Sequence, residues 1–512
     1  MAEQPTPETL DQVFLAACAA HGERRAVVDA GTELTYAQLA DRVRAHARVL
    51  DGQLGPQERR IALYAANSAE YLVSYYALLL TGRLPLLVDA QFGAAELAGI
   101  HSSCGVDAFL TDRPGGFPLP AVVTGLPDSP HALARPDSTE AAAEATAGAA
   151  PEAPAPRADT GTCRFTSGTT GAPKCLEFSH HAVHRAAVNW VDGTGLDAGD
   201  RVLCLAAFTN GLAFNTSLLP VFLVGAELHL YRGLPTSGGV VRAVGRAAAT
   251  RLVAFPLAYR LLAEAPEADT GAFATVRLAV SAAAVLAPEV REGFEARYGV
   301  RVADYYGVAE TGPCTFERDP DYREGLGTPL PGVSLRVVPR PTGGDEVRVR
   351  TESMASGYLN LPGGLAERVD AEGYYGTGDR GLLRDGRLFV TGRLGGPINL
   401  AGRKVDPEEI ERVVRALEGV RDSVLLADRD AHGETVLHLV LAGASTLTRA
   451  EVVDGCRQRL APYKVPGRIT FLESIPRSSA GKVRLSELRT LVEDTVRGSA
   501  EDTVEDTVRG SA

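Results

Sequence analysis

The chain has no paired-cysteine motif, no basic stripe and no apolar run long enough to span a bilayer. Its seven cysteines stand apart at positions 18, 104, 163, 175, 204, 314 and 456, with no CxxC and no Cys/His cluster. That spacing argues against a zinc site and against a disulfide framework, and free thiols in a reducing compartment are expected. The formal net charge is −12. An acidic chain without a basic patch cannot neutralise phosphates or release their counterions, so neither nucleic acid nor membrane is an expected partner. The longest apolar run, "YYALLLTGRLPLLV", is broken by Gly82, Arg83 and Pro85. The start, "MAEQPTPETLDQ", is polar and acidic with no apolar segment behind a basic one, so a cytoplasmic location is expected.

What remains is an ordinary globular composition, 45% hydrophobic and 23% charged over 512 residues. A chain this long predicts two or more domains. In residues 10–112, "LTYAQLADRVRAHARVL" and "YLVSYYALLLTG" carry helical spacing, while "RIALYAAN" and "LPLLVD" read as buried strands. Strands separated by helices predict an α/β layered fold with largely parallel sheets. From 201 the alternation resumes in "RVLCLAA", "AELHLY", "RLVAF" and "VRLAVSA". "GVSLRVV", "DEVRVR" and "GRLFVTG" then alternate at period two, as half-buried antiparallel strands do. Residues 126–161 turn Ala/Pro/Glu-rich and read as a flexible loop. Beyond 402, helix and strand patterns fit a small α+β domain of roughly 100 residues. The final stretch repeats "EDTV" and is expected to be a disordered or frayed end.

One stretch stands out, "RFTSGTTGAPKCLEF" at 164–178. Glycines turn backbone N–H groups inward, hydroxyls add donors and Lys174 adds a cation, an inventory suited to a polyphosphate. It is not the common nucleotide P-loop: the glycines stand three apart, Lys174 follows Pro173, and Cys175 takes the place of the metal-binding hydroxyl. "TSGTTGAPK" instead resembles the phosphate loop of the adenylate-forming superfamily, which holds acyl- and aryl-CoA synthetases, nonribosomal-peptide adenylation domains and firefly-type luciferases. "YYGVAETG" (305–312), "YGTGDRG" (375–381), "GRLGGPINLAGRKVDPEEIE" (392–411), "YKVP" (463–466) and "PRSSAGKVR" (476–484) resemble further motifs of that family in order.

The resemblance implies a large N-terminal domain of layered sheets and helices with a β-rich subdomain (1–393, with the flexible loop near 130–160). It implies a small mobile α+β C-terminal domain (394–490) and leaves 491–512 as a tail. It implies ATP and Mg²⁺, and an enzyme: an acid–AMP ligase. Thr166, Ser167, Gly168, Thr169, Thr170, Gly171 and Lys174 would cradle the phosphates, with Thr166 also counted among the catalytic and metal-binding residues. Tyr306 with Gly307 would line the adenine site, Glu310 would hold the metal, and Thr311 would meet the α-phosphate. Asp379 would take the ribose hydroxyls, with Arg393 nearby. Lys482 would hold the substrate carboxylate and the α-phosphate together, and Gly395 would be the hinge.

The sequence departs from the family in three places. Adenylation domains for α-amino acids carry an aspartate where "AAFTNGLAFNTSLLPVFLVGAEL" has no acid between Ala206 and Val224. An unpaired ammonium in an apolar pocket is costly, which disfavours simple α-amino acids. Phe208, Asn210, Phe214 and Asn215 are candidate pocket residues here, and Asn210 and Asn215 could equally be structural amides. "VSAAAVLAPE" resembles the "SGAAPL" wall of the CoA-synthetase branch, and Ser281, Ala282, Ala283 and Ala284 would narrow the slot toward a small or flat acid. At the hinge, Gly395 replaces the usual Asp or Lys, which frees the backbone and removes a latching side chain. The expected reaction is activation of a carboxylic acid as acyl-AMP, followed by transfer to CoA or a carrier-protein phosphopantetheine. The alternatives are an amide- or diazo-forming ligase, a luciferase-like oxidation, and a nucleotide binder without turnover.

Overall fold

The computed structural model describes residues 9–137, 153–166, 173–265, 269–283, 286–319, 321–322, 324–339, 345–393, 398–430, 433–443, 447–476, 483 and 487–495, with only the backbone at 392, 393 and 408. Two compact units emerge: described residues up to Arg393 belong to the first, and those from Lys404 onward to the second.

The first unit is built on three sheets. One runs in the order Thr328–Pro329, Gly312–Phe316, Val302–Val308, Leu278–Ser281, Arg251–Ala254, Arg201–Cys204, Glu227–Leu230, Arg25–Asp29, Thr32–Thr35. Its central pairs, from Arg25–Asp29 to Val302–Val308, are parallel, as short apolar strands between helices predict. A second runs Gly357–Tyr358, Lys174–Ser179, Thr160–Thr166, Leu84–Val88, Arg60–Tyr64, Ala108–Thr111, Ala132–Pro136, Ala121–Gly125. The period-two segments form a third, antiparallel sheet of Val333–Pro339, Asp345–Thr351, Tyr375–Arg384 and Arg387–Arg393.

Helices start where the chain offers a cap. Thr35 accepts from Gln38 N–H at the head of Tyr36–Gln53, and Ser68 accepts from Tyr71 N–H at the head of Ala69–Leu80. The second helix is apolar nearly all round and buries Tyr71, Leu72, Tyr75, Tyr76 and Leu79, the two leucines contributing roughly 1.5–3 kcal/mol each on burial. Helix His180–Thr194 is capped by Ser179 and stops at Gly195, whose φ of 61° places it in the left-handed region.

Two expectations are corrected. The stretch read as a loop from 126 contains the strand Ala132–Pro136, paired antiparallel to both Ala108–Thr111 and Ala121–Gly125, with Ala132, Leu133 and Ala134 buried. Small side chains pack there because main-chain pairing on both sides does the work that bulk would do elsewhere. The stretch read as a tail from 491 continues a helix over 487–495. Leu488 and Val492, one turn apart, are buried with Val424, Leu426, Val440, Ala442 and Ile475.

The second unit carries the strands Asp422–Arg429, Thr435–Ala442 and Arg468–Leu472, the first pair antiparallel and the second parallel. Helices Pro407–Arg415 and Arg449–Arg457 bury Ile410, Val414, Val452 and Cys456 against Leu425, Leu437, Leu439 and Leu441. Lys464 of "YKVP" is buried in this unit, its ammonium 2.8 Å from Glu409 Oε1. All seven cysteines are buried free thiols. Among the described residues no helix is long and apolar enough to cross a membrane.

Candidate active site

Several of the motif residues that could be placed fall in the first unit, on neighbouring strand ends and turns. Strand Thr160–Thr166 runs up to the glycine-rich segment and Lys174–Ser179 follows it, with Thr166 and Lys174 as cross-strand partners. Ser167, Gly168, Thr169, Thr170 and Gly171 lie outside the described residues. Asn360 brackets Lys174 from a distant part of the chain. Its Oδ1 accepts from Cys175 N–H and its Nδ2 donates to Pro173 O, both at 2.8 Å.

"YYGVAETG" folds as a tight hairpin. Tyr305 pairs with Phe316, Tyr306 with Thr315, Gly307 with Pro313 and Val308 with Gly312, leaving Ala309, Glu310 and Thr311 at the tip. Gly307 is required by close approach, since a Cβ there would lie 2.5 Å from Gly312 O; Gly312 itself has φ of 74°. Glu310 is buried and accepts from the Tyr358 hydroxyl at 2.8 Å. The same tyrosine ring has Lys174 Nζ 5.7 Å from its centroid. Thr311 helps close the hairpin: its buried hydroxyl lies 3.1 Å from Cys314 Sγ, and its N–H donates to Val308 O.

"YGTGD" puts Asp379 on strand Tyr375–Arg384, its Cα opposite that of Arg393. Its N–H donates to Thr377 Oγ1, whose hydroxyl donates to Val347 O. Tyr306 donates its hydroxyl to Asp379 Oδ2 at 2.7 Å. Burial raises the Tyr306 phenol well above its ordinary pKa, so this donor keeps its proton.

The expected acid pocket divides. Phe208 is fully buried against the Tyr71 ring at 5.4 Å and belongs to the core. Asn210 caps the short helix Gly211–Ala213, its Oδ1 accepting from Leu212 N–H at 2.8 Å, and so reads as a structural amide. Asn215 and Phe214 lie in the π-helix Phe214–Leu218. Ser281 and Ala282 are buried at a strand end, and Ala283 sits at φ of 71°, a strained value for a residue with a Cβ. Ala284, Gly395 and Lys482 lie outside the described residues, as does the Arg393 side chain.

Three residues of this neighbourhood escaped the sequence reading: Tyr358, Asn360 and Arg164. Tyr358 and Asn360 follow the ordinary-looking "MASG", and no local signal marks them. Arg164 did leave a signal, a lone charge at an inward position of the otherwise uncharged strand Thr160–Thr166.

The family model described as AMP-binding enzyme matches residues 14–359, and the one described as AMP-binding enzyme C-terminal domain matches residues 409–482. A methyl-dioxo-octahydro-indenyl propanoyl:CoA ligase of Rhodococcus jostii (strain RHA1) is 29% identical, covering 96% of this chain and 99% of its own. Triostin synthetase I of Streptomyces triostinicus is also 29% identical, with 94% of both chains covered. Among solved structures, the amide bond synthetase McbA of Marinactinospora thermotolerans shares the fold with a TM-score of 0.77 at 23% identity, over 93% of this chain and 99% of that one.

Proposed function

Because this chain is a ligase belonging to the AMP-binding enzyme family, we propose that it activates a carboxylic acid with ATP and passes the acyl group to a thiol. In the first half-reaction a carboxylate oxygen bonds to the α-phosphorus as the bond to pyrophosphate breaks, giving acyl-AMP. In the second a thiol sulfur, of CoA or a carrier-protein phosphopantetheine, bonds to the acyl carbon; AMP leaves and the thiol proton passes to solvent.

The observation that carries this reading is a pair of buried carboxylates in one unit, each oriented by a tyrosine hydroxyl: Glu310 by Tyr358 and Asp379 by Tyr306. The donor set suits a metal–nucleotide. A carboxylate accepts from ribose hydroxyls, which is the role proposed for Asp379, with the Tyr306 ring beside it for the adenine. Magnesium held at Glu310, with Thr166 as a further oxygen donor, would neutralise phosphate charge. Lys174, fixed by Asn360 through both backbone neighbours, supplies a cation at the mouth of the phosphate loop. Two anions must meet in the first step, and fixed cations offset their repulsion in the transition state. Lys482 is proposed as the donor that bridges the acid's carboxylate and the α-phosphate, and Gly395 as the hinge.

The acid is proposed to be small or aromatic and not a simple α-amino acid, because residues 206–224 supply no carboxylate for an ammonium. The test is pyrophosphate release across a panel of acids, followed by product mass with CoA and with holo-carrier protein. Acid-dependent release with a thioester product supports the proposal. No release with any acid, or acyl-AMP that never reaches a thiol, contradicts it.

A further inference from the structure

We propose that Arg164 is the counter-charge for a second anionic group on the acid, so that the enzyme activates diacids in preference to the matched monoacids. This rests on the acid-activating reading above and names its substrate class.

Arg164 sits on strand Thr160–Thr166, opposite Leu176 on one side and Leu87 on the other, and is 2% exposed. Its guanidinium carbon lies 4.2 Å from the Phe214 ring centroid and 4.9 Å from that of Phe178. Among the described residues its one hydrogen bond runs from Nη2–H to Ala309 O at 3.2 Å, and its Nε has no partner. The Tyr71 hydroxyl, also buried and without a partner among the described residues, lies within its electrostatic reach. Glu310 and Tyr305 add to the field at the guanidinium, but no carboxylate of the described residues forms an ion pair with it. A guanidinium stays charged at neutral pH even when buried.

Buried cations are costly without an anion, and aromatic faces offset only part of that cost. The surroundings indicate where an anion would come. A Cβ on Gly211 would lie 3.5 Å from Arg164 Nη1 and 3.7 Å from Asn215 Nδ2, so guanidinium and amide converge on a residue with no side chain to cover them. Asn215 is carried there by the π-helix Phe214–Leu218, a rare geometry that recurs at functional sites. This is the segment that lacks an acid, and it has a cation beside it instead. An ammonium would be repelled there, whereas a carboxylate can be met by the planar guanidinium fork. The reacting carboxylate is the one assigned above to Lys482, which leaves the Arg164 guanidinium for the second anionic group.

The experiment measures kcat/KM for pyrophosphate release with isophthalate against benzoate and with glutarate against butyrate, in wild type, Arg164→Lys and Arg164→Met. The expected diacid-to-monoacid ratio in wild type is about 100-fold or more, since a site built around a polar partner strongly rejects the analogue lacking it. In Arg164→Met the ratio should fall below about 10-fold, with Arg164→Lys between the two. Each ratio is taken within one preparation, so the folded fraction cancels. A wild type that favours the monoacids, or a ratio untouched in both variants, overturns the assignment while leaving acid activation standing. No release with any acid counts against both.

Discussion

Replacing Tyr306 with phenylalanine removes one oxygen and leaves the ring. That oxygen donates to Asp379 Oδ2 at 2.7 Å, and both residues are buried. Burial keeps the phenol protonated, so the contact is present across the working pH range. A hydrogen bond to a charged group contributes roughly 1.5–3 kcal/mol. The Asp379 backbone is tied separately through Thr377 and Val347, so the strand stays in place while the carboxylate loses the contact that aims it. Urea unfolding of Tyr306→Phe should therefore show a loss of roughly 1–3 kcal/mol. If Asp379 holds the ribose, the same loss falls on ATP binding, and each 1.4 kcal/mol is a decade. The KM for ATP should rise by about 10-fold or more, with little change in KM for the acid. The assay is acid-dependent pyrophosphate release with ATP varied. A less stable protein with unchanged ATP dependence would make the pair structural and refute the ribose assignment.

Asn360→Ala removes both bonds that bracket Lys174; it should raise the KM for ATP several-fold and cost roughly 1–3 kcal/mol of stability, and a normal ATP dependence would contradict the positioning role. Lys464→Met takes the cation from Glu409 in the buried pair of the second unit, and should cost roughly 3–5 kcal/mol in urea unfolding. Adding Glu409→Leu should recover most of that loss, and equal stability of single and double variants would contradict the pairing argument. His46 Nε2 and His131 Nδ1 flank Ser74 Oγ at 3.2 and 2.9 Å, and burial lowers both imidazoles to about 4. Unfolding returns them toward 6.5, so between pH 6.5 and 4 the unfolded chain binds more protons and the native state loses stability as pH falls. Each histidine should contribute roughly 2–3 kcal/mol of that loss; an unfolding slope against pH that is the same in wild type and His131→Gln would refute it.

Local signals carried far. The helix Tyr36–Gln53 is marked by its apolar spacing and by Thr35 with Gln38 at its head, and the strands around 201–281 by short apolar runs between helices. Glu310, Asp379 and Lys174 were legible because each belongs to a contiguous motif. Ala132–Pro136 was hidden because small residues and a proline suit a loop as well as a strand with main-chain partners on both sides. The helix over 487–495 was hidden by the acidic repeat that follows it. Tyr358 and Asn360 reach the loop strand only because Gly357–Tyr358 pairs with Lys174–Ser179, a contact about 180 residues long that no window displays. A compositional signal was available too. Of 52 basic residues only four are lysine, at 174, 404, 464 and 482. A chain that meets its other cation needs with arginine keeps lysine where a compact ammonium matters, as at the buried Lys464.

In the proposed first half-reaction a carboxylate oxygen attacks the α-phosphorus. The direct measurement supplies the preferred acid labelled with ¹⁸O in both carboxylate oxygens, with ATP and the thiol acceptor, and weighs the AMP formed. One ¹⁸O is expected in AMP, left behind when the thiol takes the acyl group. Unlabelled AMP, or label in inorganic phosphate alongside ADP, would contradict it.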